Sequence, residues 1–289
     1  MTNSGITIRS FDESGGALLA ALQHADPSEV ARWLKQPNLT PEEECFFAEV
    51  EGEVVAFGYL IIEHPLSRGV LIAEAEEPRV LRALIAQAAD RAQSAGLSAL
   101  QIDVPESNDQ WHQACKAAGM SVVRTHHHMI RPGAEPTRAP LPPGMTTRLA
   151  TRADVGTVTG IQNAAFAGSW GYSPNSENEI EYRIFELPSL APDPVVMVNV
   201  DGQDLAYCWA HRERAGTSGT VGMVGVLPSQ QGKGLGKLAT AAGVNHLMSV
   251  GATSVEITVD SENGPAIHIY QSVGFKLGNR SVWYQRELG

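Results

Sequence analysis

Cysteine is scarce in this chain. Cys45, Cys115 and Cys208 are the only three among 289 residues, and they are widely spaced. An odd, scattered set excludes a disulfide framework and a zinc-ligand pattern. A reducing, cytoplasmic compartment is the expectation. Long apolar runs are absent too: none reaches the 18 residues that a membrane helix needs. The start, Met1-Thr2-Asn3-Ser4-Gly5, has neither the basic residues nor the apolar core of a secretion signal. Basic residues are outnumbered, 21 against 32 acidic, for a net charge of −11. That balance argues against nucleic acid or an anionic membrane as the partner. What is present is globular: 43% hydrophobic and 18% charged residues exclude wholesale disorder. The length suits two domains of about 145 residues.

Proline marks where they would meet. Five of the 17 prolines lie in Pro132–Gly144, where fixed φ angles and missing donors exclude a helix or a central strand. The expected division is a domain over 1–131, a semi-rigid linker over 132–144 and a domain over 145–289. Acidity is unequal: residues 1–134 hold 18 acidic and 10 basic side chains, residues 135–289 hold 14 and 11.

The two halves repeat. Gly96-Leu-Ser-Ala-Leu-Gln-Ile-Asp-Val-Pro-Glu-Ser-Asn108 aligns with Gly251-Ala-Thr-Ser-Val-Glu-Ile-Thr-Val-Asp-Ser-Glu-Asn263 at an ungapped offset of 155, held to Gly119-Met120 over Gly274-Phe275. Val50-Glu-Gly-Glu-Val-Val-Ala-Phe matches Val200-Asp-Gly-Gln-Asp-Leu-Ala-Tyr at an offset of 150. A self-match of this period means two copies of one domain.

Within the second copy, strands are expected at 145–149, 194–200, 203–211, 220–227, 254–259 and 281–286, and helices at 152–166, 234–250 and 265–272. Asp201-Gly202 is a type I′ hairpin signal. Val255, Ile257 and Val259 alternate with Glu256 and Thr258, the period of a half-buried strand. In the first copy, Leu81, Leu84, Ile85, Ala88 and Ala92 share one helical face. The order β-α-β-β-β-α-β-α-β gives a mixed sheet with helices on both sides.

The segment with most chemical content is Val224-Gly225-Val226-Leu227-Pro228-Ser229-Gln230-Gln231-Gly232-Lys233-Gly234-Leu235-Gly236-Lys237. A strand ends and three glycines alternate into a helix. Glycine lets backbone N–H groups turn inward, and the helix start adds partial positive charge, so the loop can cradle a pyrophosphate. It is not a Walker loop, because Leu238 follows Lys237. Nor is it a dinucleotide fingerprint, because it follows the fourth strand of its domain with different spacing.

This loop resembles the Gln/Arg-x-x-Gly-x-Gly/Ala motif of the GNAT acyltransferase superfamily. Asn263-Gly-Pro-Ala266-Ile-His-Ile-Tyr270-Gln-Ser-Val-Gly274-Phe275 resembles that family's second signature, Asn-x-x-Ala-x-x-x-Tyr-x-x-x-Gly-Phe. The tandem arrangement, and the stretch Ala165–Tyr172, are similar to mycothiol synthase and related two-domain members. The resemblance covers the second copy and, more weakly, the first. The implied fold is α/β: two tandem GNAT-like domains, each a mixed, mostly antiparallel sheet flanked by helices.

The resemblance implies an acetyl-CoA-dependent N-acetyltransferase, acting by direct attack of a small-molecule primary amine, without a metal. Acetyl-CoA is then a co-substrate. Val224, Gly225 and Val226 would run along its pantetheine arm. Gln231, Gly232, Lys233, Gly234, Leu235, Gly236 and Lys237 would hold its pyrophosphate. Asn263 would bond to the arm, and it also suits a helix start before Pro265. Tyr270 would protonate the leaving thiolate; a phenol near pKa 10 suits that task. Glu256 is taken as the base, with Asp260, His211 and a water chain as open alternatives. Trp170 and Tyr172, with Glu177, Glu179 and Glu181, suit a cationic acceptor; an ordinary solvated helix start is the alternative for the three glutamates. An acyl-CoA sensor without turnover and a peptide or protein acetyltransferase are the competing functions. The protein would be a monomer or homodimer.

The first copy has lost this chemistry. Gln231, Gly232, Gly234 and Gly236 fall on Glu76, Glu77, Arg79 and Leu81; Tyr270 falls on Cys115 and Ala266 on Trp111, while Asn263 keeps Asn108. Its acidic loop would repel a pyrophosphate. His126-His128 alternate across a strand, an awkward geometry for three ligands to one metal, and a solvated edge strand is the expectation.

Gly234→Glu is expected to abolish acetyl-CoA binding measured by calorimetry. Residual stoichiometric binding would reveal a working site in the first copy.

Overall fold

The computed structural model describes residues 5–133, 135–137, 141–187, 195–212 and 216–289. The chain forms two compact units, residues 1–125 with 280–289, and residues 126–279.

The first unit contains β1 (Ile6–Ser10), α1 (Gly15–Gln23), α2 (Pro27–Trp33), α3 (Pro41–Glu44), β2 (Cys45–Val50), β3 (Glu53–Glu63), β4 (Arg68–Glu74), α4 (Pro78–Ser94), β5 (Ala99–Pro105), α5 (Asp109–Ala117) and the start of β6 (Ser121–Pro132). The second contains β7 (Met145–Leu149), α6 (Val155–Phe166), α7 (Glu177–Glu181), β8 (Val195–Val200), β9 (Gln203–Arg212), β10 (Ser218–Val226), α8 (Leu235–Ser249), β11 (Ser254–Asp260), α9 (Gly264–Ser272) and the start of β12 (Lys276–Glu287). Each copy thus follows the expected order, with short extra helices after its first long one. No helix among the described residues is long and apolar enough to cross a membrane.

Local chemistry explains the main elements. Asp201 and Gly202 both have positive φ, 49° and 87°, as a type I′ turn requires, and Glu51 and Gly52 repeat the turn at 53° and 86°. The α4 face of Leu81, Leu84, Ile85, Ala88 and Ala92 is fully buried in the first core. On β11, Val255, Ile257 and Val259 are buried while Glu256 and Thr258 are exposed. Cys45, Cys115 and Cys208 are buried and unpaired.

Sheet order in the first unit is β1-β2-β3-β4-β5-β12, and in the second β6-β11-β10-β9-β8-β7. Pairing is antiparallel except between β4 and β5 and between β10 and β11. The repeats exchange their last strands. β6 closes the first copy in sequence but runs antiparallel to β11, with Ser254↔Pro132 through Asp260↔His126. β12 closes the second copy and runs antiparallel to β5, with Ser281↔Pro105 through Glu287↔Ala99.

This exchange moves the boundary between compact units to 125/126, whereas the sequence places it in the proline-rich segment. The described residues of that segment belong to the second unit. Thr137 N–H donates to Oδ1 of Asn245 on α8 at 2.7 Å, and Asn245 Nδ2 returns a bond to the Thr137 carbonyl at 3.1 Å. The three histidines are also placed differently from the expected solvated edge. They lie opposite Asp260, Val259 and Thr258 on a strand hydrogen-bonded to β11.

A fragment of residues 145–289 would lack β6 and expose the ladder edge of β11. It is expected to show no cooperative unfolding transition in urea, where the whole chain does. A cooperative fragment of native-like circular dichroism would count against this pairing.

Candidate functional site

β10 ends at Val226, and a 3₁₀ turn, Pro228–Gln230, leads into the glycine-rich loop. Gly232 and Gly234 have φ of 77° and 84°. A Cβ at either would meet nothing within 4 Å, so conformation, not crowding, demands glycine there. Gly236 is different: its Cβ would lie 3.2 Å from Cδ1 of Ile269, and its smallness lets α9 approach α8.

Helix α8 has no side-chain cap. Its first bond out of the loop is Leu238 N–H to the Gly234 carbonyl, 3.2 Å. The N–H groups of residues 232–237 have no acceptor among the described residues. That row of donors, at the positive end of a 15-residue helix, has the chemistry to hold an anion. Gln231 shapes it by donating Nε2 to the Val226 carbonyl at 3.2 Å. Lys233 is tied back to the Ser229 carbonyl at 3.2 Å and to Oε1 of Gln230 at 2.8 Å. Leu235 is buried beneath the loop, and Lys237 is exposed beside it.

β10 and β11 are paired for only four positions, Ser218↔Ser254 to Val221↔Ile257. Past them β10 follows β9 to Val226↔Ala206, and β11 follows β6 to Asp260↔His126. The strands part at Gly222 and Thr258, where β10 also shifts register between Val221 and Met223. Val224, Gly225 and Val226 border the resulting gap, whose open backbone edge can pair with an extended amide chain. Gly225 is needed because a Cβ would stand 2.3 Å from Cε1 of Tyr207, whose ring lies across β10.

Asn263 caps α9, its Oδ1 accepting from Ala266 N–H at 3.1 Å; its amide NH2 has no partner among the described residues. Tyr270 lies two turns further on, its ring edge-on to Phe275 at 6.1 Å. Burial, with the Cys208 thiol nearby, pushes its phenol above the ordinary tyrosine value. The phenol therefore stays protonated across the physiological range and can serve as an acid. Cradle, gap and phenol fit a ligand with a pyrophosphate at one end, an extended amide arm and a thioester.

The opposite face of the sheet is polar. Glu256, Thr258, Thr220, His128, Ile130 and Asn279 line a cleft of about 270 Å³. Glu256 reaches it, although its Oε1 accepts from Ser218 Oγ at 3.2 Å. Thr258 Oγ1 is 2.9 Å from Nδ1 of His128. Trp170 stands edge-on to His126 at 5.9 Å, and His126 pairs across the ladder with Asp260. His211 packs on Trp209 at 5.4 Å. Burial pushes its imidazole below the ordinary value, which keeps it neutral, and its Nδ1 is buried with no partner among the described residues. Thr220 and Asn279 carry no signal in the sequence, and His128 reads there only as part of a solvated edge strand. Only the register of β6 against β11 brings the histidine here.

Several expected acceptor residues have internal partners. Tyr172 stacks on Phe166 at 5.4 Å and donates its hydroxyl to Oδ1 of Asn163 at 2.6 Å. Asn163 also holds Asn175 N–H at 2.9 Å, so Tyr172 locks its loop to α6. Glu179 forms a capping box with Ser176, and Glu181 pairs with Arg152. A solvated helix start describes these two carboxylates.

The first unit repeats the parting of strands: β4 and β5 pair only from Arg68↔Ala99 to Val70↔Gln101. Its other features do not follow. At the start of α4, Arg79 Nε is 2.5 Å from Oε2 of the N-cap Glu77. Cys115 is fully buried, and burial pushes its thiol up to about 12. Gln101 takes the place of Glu256 and Arg68 that of Ser218, joined by an Nη1 to Oε1 bond of 2.7 Å.

Residues 161–275 match the profile of the acetyltransferase (GNAT) family. A mycothiol acetyltransferase of Saccharopolyspora erythraea is 33% identical over 172 residues, which cover 58% of this chain and 56% of that one. Its counterpart in Actinosynnema mirum is 34% identical over 152 residues, 52% of this chain and 50% of that one. The chain thus spans about half the length of the curated relatives it matches. Among solved structures, a tandem GNAT protein from the clavulanic acid biosynthesis pathway superposes with a TM-score of 0.73 at 16% identity, covering 98% of this chain and 99% of that one. A GCN5-related N-acetyltransferase from Sphaerobacter thermophilus gives 0.72 at 18% identity, covering 100% and 97%.

Tyr172→Phe removes the hydroxyl that Asn163 accepts. It is expected to lower stability by about 1 kcal/mol in urea denaturation. An unchanged midpoint would show that the loop is held by packing alone.

Proposed function

We propose, from the match of residues 161–275 to the GNAT acetyltransferase family, that the chain is an acetyl-CoA-dependent N-acetyltransferase for a small-molecule primary amine. The observation that carries this reading is the set of backbone N–H groups at residues 232–237 that have no acceptor among the described residues. Acetyl-CoA supplies an activated acetyl thioester. The cradle binds its pyrophosphate, helped by Lys237, while Val224, Gly225 and Val226 align its amide arm and Asn263 offers its free NH2. Tyr270 holds the proton that a departing thiolate needs.

The acceptor enters from the other face, where Glu256 attracts an ammonium and Trp170 walls the mouth. Acid and acceptor thus approach the gap from opposite sides of the sheet, which suits direct attack without an enzyme-bound acyl group. In this reading residues 145–289 carry the catalytic machinery, and the first copy, with Glu77 and Cys115 in place of cradle and acid, is degenerate. The cytoplasm is its place, consistent with three unpaired thiols. Relatives named as mycothiol acetyltransferases make a mycothiol-related amine the first acceptor to try.

The test is thiol release from acetyl-CoA over a panel of amines. Tyr270→Phe is expected to lower kcat about 100-fold or more, with the calorimetric Kd for acetyl-CoA unchanged. Because burial raises the phenol, wild-type kcat should not fall with rising pH until beyond the usual phenol range near 10. Acetyl-CoA binding with no amine-dependent release would mark a sensor instead.

A further inference from the structure

The amine needs a proton acceptor, and of four candidate side chains Asp260 is not among the residues that line the cleft. Glu256 lies one position before the last paired residue, Ile257, and its carboxylate leans back to Ser218 at 3.2 Å, away from the parting strands. His211 lies under Trp209 and is not among the residues lining the cleft. His128 lines the cleft and pairs across the ladder with Thr258, the residue at which β11 leaves β10. Its Nδ1 is 2.9 Å from Thr258 Oγ1. With Nδ1–H donating to that oxygen, the ring is fixed as the tautomer whose Nε2 is an acceptor.

We propose that His128, oriented by Thr258, is the base of the acetyl transfer, so that a residue from the strand preceding the proline-rich segment completes the site of the second copy. The inference rests on the acetyltransferase reading above. An arriving ammonium carries three protons, and the amide product keeps one. One of the two shed goes to Nε2 of His128 and on to water. The nitrogen lone pair then forms the bond to the acetyl carbon as the carbon–sulfur bond breaks. Sulfur takes the Tyr270 proton, and the second nitrogen proton restores the phenol.

Charged and titratable groups around His128 are His126 on its own strand and Glu256 and Asp260 on β11; β10 and β12 face the cleft with Thr220 and Asn279, which are neutral. The base is identified by which substitution removes the acid limb of the pH profile and which ones leave it in place.

The experiment compares pH profiles of kcat/KM for wild type, H128Q, H128A, T258V, E256Q and H211Q, with acetyl-CoA Kd by calorimetry as the check on folding. H128Q should lose at least about 100-fold in kcat and the acid limb of its profile. Its Kd should be unchanged. Added imidazole should restore part of the H128A rate, and T258V should fall about tenfold and keep its limb. An H128Q enzyme within threefold of wild type, or an acid limb that disappears in E256Q or H211Q instead, would overturn the assignment while leaving the acetyltransferase reading intact. A wild type that binds acetyl-CoA but acetylates no amine would overturn both.

Discussion

Four residue pairs hold β10 beside β11, and all the inferred chemistry begins where that pairing stops. Parallel strands ordinarily satisfy each other along their length. Here the neighbours pull them apart, β9 holding one and β6 the other. The gap costs ladder bonds but leaves backbone groups in the middle of a sheet, where a ligand can take the place of a strand. The rest is arranged about it: the cradle at one end, the tyrosine on one face, the polar cleft on the other.

Some of this was legible in the sequence because it is local. The glycines at 232 and 234 announce positive φ, and positive φ is what the loop has. Asp201-Gly202 encodes its own turn, and the alternation on β11 sorts Glu256 from Ile257. Asn263 could be read as a cap from Pro265 two positions on, and it is one.

The strand exchange was not legible. β6 and β12 end similar repeats, and similar edges, β5 and β11, are open to both. Alternation within a strand gives its faces but not its neighbour. A reading of His126-His128 without that neighbour makes them a solvated edge, and the proline-rich segment a boundary. The internal partners of Tyr172 and Glu179 were not legible for another reason. Polar and aromatic residues near a site mouth look alike in sequence, whether they meet a substrate or, like these two, Asn163 and Ser176.

The two copies share a scaffold and differ at the positions where their parallel strands part. Where the second has Ser218 beside Glu256, the first has Arg68 beside Gln101. A duplicated domain that stops binding is usually free to shrink or vanish. The ladder from Ser254↔Pro132 to Asp260↔His126 removes that freedom. Deleting the first copy would also remove the strand that pairs with β11, so the ladders tie the two copies together. Each half carries a strand that the other half's sheet uses, so neither is complete as its own stretch of sequence.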